Sequence, residues 1–373
     1  MIASAALSTV AAVFPGLASG ALAVQVSDDL GVDEGVYGWT FGSFFAAAAL
    51  TSVVAGRTAQ RLGPRRQLMG SLVLVAAVQL SIATVVSSFG ALLVCLAAAG
   101  VLNSTVQTAV NLALTQAELP RLGLAIATKQ SAMPASSMLG GLAVPLLALT
   151  LGWRWAYAMG ALVAMVALVL VMRHVAPQPA TKSGAGVVES PRRALVGAAI
   201  VSMSLSFTAG ALNAWTVSSG VDAGLSEGTA GLMLSAAAGS GIMIRLLLGF
   251  RVDRTTGLPF RLAGFIVLCG AIGFALMSTR VPIVHACATL LAFGGGWTWP
   301  VLSNFAIVNA NPKSAGAATG LTQMGVYIGV FSGPVVTGIL IDQTSYEVMW
   351  LTVATIAVIG ALGAMRLAPS FPR

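Results

Sequence analysis

Apolar runs of about 20 residues succeed one another along nearly the whole chain, and that pattern leaves few folds open. A helix of that length crosses the hydrocarbon core of a bilayer. The runs are rich in Ala, Leu, Val and Gly and do not alternate with period two, so they read as helices and not as barrel strands. Only 8% of the residues are charged and 57% are hydrophobic. Soluble domains carry about 25% charged residues. Too little charge is present to wet a soluble surface, and the chain is read as an all-α polytopic membrane protein embedded in a lipid bilayer.

Charged or turn-forming breaks give twelve spans, near 3–26, 35–56, 67–87, 89–115, 123–149, 153–173, 194–219, 228–249, 260–280, 283–309, 315–341 and 346–367. The first run could pass for a signal peptide, but it lacks a basic start and its apolar part is too long. Residues 174–193, HVAPQPATKSGAGVVESPRR, are rich in Pro, Gly and Ser and show no apolar period. They read as a linker between residues 1–173 and 194–373.

Fifteen lysines and arginines, from Arg57 to Arg373, fall at one end of these spans, and only Arg154 and Arg280 fall at the other. Eight of the eleven acids (Asp28, Asp29, Asp33, Glu34, Asp222, Glu227, Asp342 and Glu347) lie with those two arginines. The ends are therefore a basic end and an acidic end. The positive-inside rule puts the basic end in the cytoplasm, with both termini, as expected for a multi-pass protein of the plasma (inner) membrane. The net charge of +8 is scattered in short groups, which argues against nucleic acid as a partner. Cys95, Cys269 and Cys287 have no metal-ligand spacing, and His174 and His285 lie near span ends. No cofactor or metal is expected. Nor is an enzyme, because no nucleophile–base or metal constellation is present.

Sliding the chain against itself by 193 residues brings out a duplication. Asp29, Gly31, Glu34, Gly35 and Gly38 land on Asp222, Gly224, Glu227, Gly228 and Gly231. The same register pairs Gly56 with Gly249, Arg61 with Arg254, Asn111 with Asn304, Gly123 with Gly316, Gln130 with Gln323 and Gly140 with Gly333. Composition alone could align glycines, but it is a poor explanation for Asp, Glu, Arg, Asn and Gln in one frame. The expected architecture is two parallel-repeat six-helix bundles, an arrangement used by transporters that bind substrate at the repeat interface.

The segment GRTAQRLGPRR, Gly56 to Arg66, resembles the G-x-x-x-D-R-x-G-R-R signature of the major facilitator superfamily. Gly56, Arg61, Gly63, Arg65 and Arg66 match, while Gln60 stands at the acidic position. The second copy, GFRVDR, keeps Gly249, Asp253 and Arg254. The resemblance implies a twelve-helix carrier working by alternating access. It also implies a conformational latch built from Gly56, Gln60, Arg61, Gly63, Arg65, Gly249, Asp253 and Arg254. Small residues such as Gly249 let helix backbones approach closely.

Two cations are left inside the spans, Lys129 in the fifth and Arg245 in the eighth, and no Asp or Glu lies well inside any span. A charge at the bilayer centre costs about 2.5–3.5 kcal/mol on the insertion scale. Either side chain could snorkel to the interface. If both instead face the seam between the halves, they form an anion site. The pattern R-x-x-x-G-x-x-x-D, Arg245 to Asp253, also resembles the monocarboxylate and oxalate carriers of the superfamily, whose arginine contacts the substrate carboxylate. Here Gly241 stands where the monocarboxylate carriers have an Asp, so coupling through a carboxylate on that helix is not expected. Around the two cations, Gln130, Asn111, Asn304, Gln323, Tyr327 and Trp297 are candidate substrate contacts. Each could equally be packing or an interhelical bond. Proline, with glycine beside it at Pro15-Gly16 and Gly333-Pro334 and without it at Pro134 and Pro145, marks candidate bending points.

The leading reading is a monomeric carrier of a small organic anion, such as a carboxylate, with a proton or counter-substrate as the possible coupled partner. The alternative is an efflux carrier of a lipophilic or neutral solute, with Lys129 and Arg245 structural. The fifth span lacks the Gly-Pro signature of many drug/proton antiporters, which counts against multidrug efflux. A non-transporting receptor or assembly factor on the same fold is the third class.

Overall fold

The computed structural model describes residues 1–115, 122–176, 190–252, 258–311 and 315–371. The first half contains α1 (Ile2–Ala21), α2 (Ala23–Leu30), α3 (Glu34–Tyr37), α4 (Trp39–Leu62), α5 (Pro64–Thr84), α6 (Phe89–Thr115), α7 (Leu122–Ala143) and α8 (Arg154–His174). The second contains α9 (Arg192–Asp222), α10 (Glu227–Val252), α11 (Pro259–Met277), α12 (Pro282–Leu291), α13 (Trp299–Ala310), α14 (Ala315–Gln343) and α15 (Tyr346–Leu367). The predicted linker 174–193 lies largely outside the described residues, as do Asp253 and Arg254.

Among the described residues, eleven helices are long and apolar enough to cross a membrane. The tenth predicted span is the exception, and the expectation of one continuous helix over 283–309 is corrected. It breaks into α12, a π turn at Ala292–Gly296, and α13. Sequence chemistry accounts for the break. Gly294, Gly295 and Gly296 remove side-chain support, and Pro300 cannot donate a backbone hydrogen bond. All three pieces still pack along α11, so the broken run occupies one crossing position beside it.

Proline and glycine also mark the ends of continuous helices. α5, α11 and α12 each open on proline, where a missing N–H costs nothing. Gly63 turns the chain from α4 into α5 at φ 80°, a conformation a side chain would resist.

Helix pairings follow the 193-residue offset. α1 packs on α7 and α8, as α9 packs on α14 and α15; α5 packs on α8 as α11 packs on α15. The halves meet where α7 packs on α10 and α4 on α14, two contacts exchanged by the same offset, with α1 against α9 between them.

Small residues close this seam toward the acidic end. A Cβ on Gly141 would fall 2.4 Å from the Gly231 carbonyl oxygen, and one on Gly20 only 2.1 Å from that of Asn213. Those helices touch backbone to backbone. Ser137 Oγ donates to Asn213 Oδ1 at 2.6 Å, and Ser235 Oγ to the Met138 carbonyl at 3.0 Å. The structure is closed at its acidic end.

An ion pair at that end belongs to one half alone. Asp29 Oδ2 accepts from Trp153 Nε1 at 3.0 Å and from Arg154 Nη1 at 2.9 Å. The Trp153 hydrogen bond, then that of Arg154, holds the Asp29 carboxyl below its ordinary value. A depressed carboxyl stabilises the fold above its unfolded value, near pH 4, and loses that contribution as pH falls through the folded value. The pair is solvent-exposed, so its worth is below about 1 kcal/mol. Asp29→Asn is expected to flatten the acid-side dependence of thermal stability slightly, measured as Tm against pH.

Candidate functional site

Arg245 sits on α10, the helix that packs against α7 across the seam, and it is 1% exposed. It does not snorkel. Nη1 donates to the Gln130 carbonyl on α7 at 2.5 Å. Nη2 donates to the Trp297 carbonyl at the break between α12 and α13. The guanidinium carbon lies 4.7 Å from the Trp297 ring centroid, so the cation also rests on the aromatic face. Trp297 is in turn set by an edge contact with Phe293, at 5.8 Å between centroids.

Both carbonyls need a donor for the same reason. In an α-helix the carbonyl of residue 130 would bond the N–H of residue 134, which is Pro134 and has none. The tighter-turn donor for Trp297 would be residue 300, again a proline, while the next N–H, of Val301, bonds Thr298 instead. In the membrane interior a carbonyl without a donor is costly. Arg245 therefore satisfies two carbonyls that prolines have left open, one from each half of the chain. Its Nε is buried and unbonded.

Among the described residues no carboxylate pairs with Arg245; the pairs Arg154–Asp29, Arg280–Asp222 and Arg280–Glu347 lie at the acidic end. Lys129 precedes Gln130 on α7 and is half-buried. The turn whose carbonyl holds Arg245 is thus the turn that carries the second intramembrane cation.

The other predicted contacts stand apart from this cluster. Asn304, Gln323 and Tyr327 are half-buried and Asn111 is exposed, and among the described residues none of the four bonds to Arg245, Gln130 or Trp297. Of the predicted latch, Gly63, Arg65 and Gly249 are buried or half-buried, Gly56 and Gln60 are half-buried, and Arg61 is exposed. Arg65 Nη2 donates to the Met172 carbonyl at 2.9 Å, in the last turn of α8, where the helix dipole favours a cation. That bond stays within one half. Asp253 and Arg254 lie outside the described residues.

Sequence reasoning did not single out Asn213, Ser137 and Ser235, which lock the seam, as site residues. Their signal was faint, because small polar residues are common in membrane helices. Among the described residues, no group of three or more His, Cys, Asp or Glu side chains is placed to hold a metal ion.

Helices paired by an internal offset, a seam between the halves and a buried cation at that seam define the class: a helical membrane carrier. The model of the Major Facilitator Superfamily matches residues 2–284, and the chain belongs to that family. It is a secondary transporter of small molecules across a bilayer and not an enzyme. No curated protein matches the chain.

Proposed function

We propose that this transporter moves a small organic anion, a carboxylate, by alternating access between the bundles 1–173 and 194–373. The observation that carries the reading is Arg245, a buried cation at the seam whose hydrogen bonds among the described residues go to two neutral carbonyls. Burying a charge without an opposite charge is expensive. An anion entering the seam removes that cost, and the guanidinium fork matches a carboxylate in a bidentate pair. Lys129 supplies a second positive charge from the same turn of α7, and Asn304, Gln323 and Tyr327 read the body of the solute. The likeness of the Arg245-x-x-x-Gly249 pattern to the monocarboxylate and oxalate carriers supports this reading. With no acid well inside the described spans, coupling is by exchange, by a proton carried on the substrate, or absent. The protein works as a monomer in the inner membrane with its basic end in the cytoplasm.

The proposal is tested by counterflow of labelled mono- and dicarboxylates in proteoliposomes, with amino acids and neutral solutes as controls. Saturable carboxylate exchange is expected. Transport of neutral solutes with no response to any carboxylate would overturn it and support the second reading, a carrier of a lipophilic or neutral solute. That reading has one observation in its favour: Arg245 already serves two proline-orphaned carbonyls and so has a structural task.

Pro134→Ala separates the two roles. Alanine restores a donor to the Gln130 carbonyl within α7, leaving Arg245 free of one acceptor. If Arg245 binds substrate, its release should tighten carboxylate binding by about tenfold to a hundredfold, the worth of one hydrogen bond to a charged group. Thermal-shift titration with the transported carboxylate reads this. Unchanged or weaker binding would place Arg245 outside the substrate site.

A further inference from the structure

Three bonds that join the halves at the acidic end share one design. Gln25 Nε2 on α2 donates to Glu227 Oε2 on α10 at 2.6 Å. Tyr346 Oη on α15 donates to Glu34 Oε1 on α3 at 3.3 Å. The Gly35 N–H on α3 donates to Asp342 Oδ2 on α14 at 2.9 Å. Each acceptor is a carboxylate, and each bond has one partner before residue 173 and one after residue 194.

The internal duplication orders these bonds. Glu34 and Glu227 are repeat mates, 193 residues apart, and each opens a helix of its own half. Each accepts a hydrogen bond from the other half. Asp29 and Asp222 are also mates, but they do the opposite, each pairing with an arginine of its own half, Arg154 or Arg280. The duplicated acids have thus divided into a pair that crosses the seam and a pair that does not. The third bond is half of a matched contact. Gly35 meets Asp342, while at the mated position Gly228 faces Leu149, 3.6 Å from a Cβ placed on it.

We propose that Glu34 and Glu227 are a two-fold-related latch that holds the acidic end shut, and that its release is a required step of the transport cycle. Any carrier of this fold must part α3 from α15 and α2 from α10 to open that end, and these are the bonds that then break. Asp342 acts with them as a third, unduplicated clasp. The latch is independent of which solute is carried.

The test measures the distance between spin labels on Ser87→Cys and Thr344→Cys, exposed positions at the acidic end in opposite halves. Cys95, Cys269 and Cys287 are replaced by alanine, and the full chain is reconstituted in lipid. Glu34→Ala and Glu227→Ala should each raise the ratio of long to short distances by about threefold to tenfold, the worth of one partly exposed bond to a charged group. The double variant should exceed either one. Asp29→Ala breaks an ion pair of the same end within one half and should leave the ratio unchanged. If a glutamate variant fails to fold, Gln25→Leu and Tyr346→Phe remove the donors and should give the same shift. No shift in either arm, or an equal shift in Asp29→Ala, overturns the latch.

Discussion

Arg245→Leu should abolish carboxylate transport and lower thermal stability together, whereas Arg245→Lys should keep most of the stability and little of the transport. Leucine fills the space but donates nothing. The Gln130 and Trp297 carbonyls then face each other across the seam without a proton donor. Each unsatisfied buried carbonyl costs about 1–3 kcal/mol, so a Tm fall of several degrees is expected. Losing a bidentate charge pair with the substrate costs a further 2–5 kcal/mol of binding, about thirtyfold or more in affinity. Lysine keeps the charge and can bond a carbonyl, but its ammonium cannot present a planar fork. Proteoliposome exchange and thermal unfolding read the two effects separately. Wild-type exchange by Arg245→Leu would sink the anion reading and leave the carrier fold intact.

Much of this site is legible in the amino-acid sequence. Arg245 stands in an apolar run, and no acid lies well inside any predicted span. Gln130 lies four residues before Pro134, which already marks its carbonyl as lacking a helical donor. Not legible there is that one side chain answers both carbonyls, because the partner of an orphaned carbonyl is fixed by helix packing and not by spacing along the chain. The break in the tenth span is hidden for a different reason. Hydropathy averages over a window, and Gly294–Gly296 lowers it too little to interrupt a run, although three glycines before Pro300 are poor helix formers. The duplication carries the helix pairings well, because mates fold alike. It does not separate Asp29 and Asp222 from Glu34 and Glu227, acids whose tasks differ although their positions match.

Gly270→Ala is expected to have the second large effect, although it adds a single methyl far from the guanidinium in sequence. The new Cβ would lie 2.1 Å from the Gly296 nitrogen and 2.5 Å from its Cα. Both are backbone atoms, so no side chain can swing aside. From the other side, a Cβ on Gly295 would likewise lie 2.5 Å from the Gly270 nitrogen. To relieve the contact, α11 and the π turn must part by about 1 Å or more, given ordinary carbon contacts near 3.5–4.0 Å. The turn carries Trp297, and a shift of that size takes its carbonyl out of hydrogen-bond reach of Arg245. A methyl on α11 thus acts at the seam by displacing the broken helix that Arg245 grips. The expected result is exchange lowered about tenfold or more, the consequence of misplacing a binding group by about 1 Å, together with a lower Tm. Gly70→Ala on α5, where a Cβ meets nothing within 4 Å, is the control and should change neither. Wild-type exchange and Tm in Gly270→Ala would mean that the break does not depend on this glycine contact, and that Arg245 holds Trp297 without help from α11.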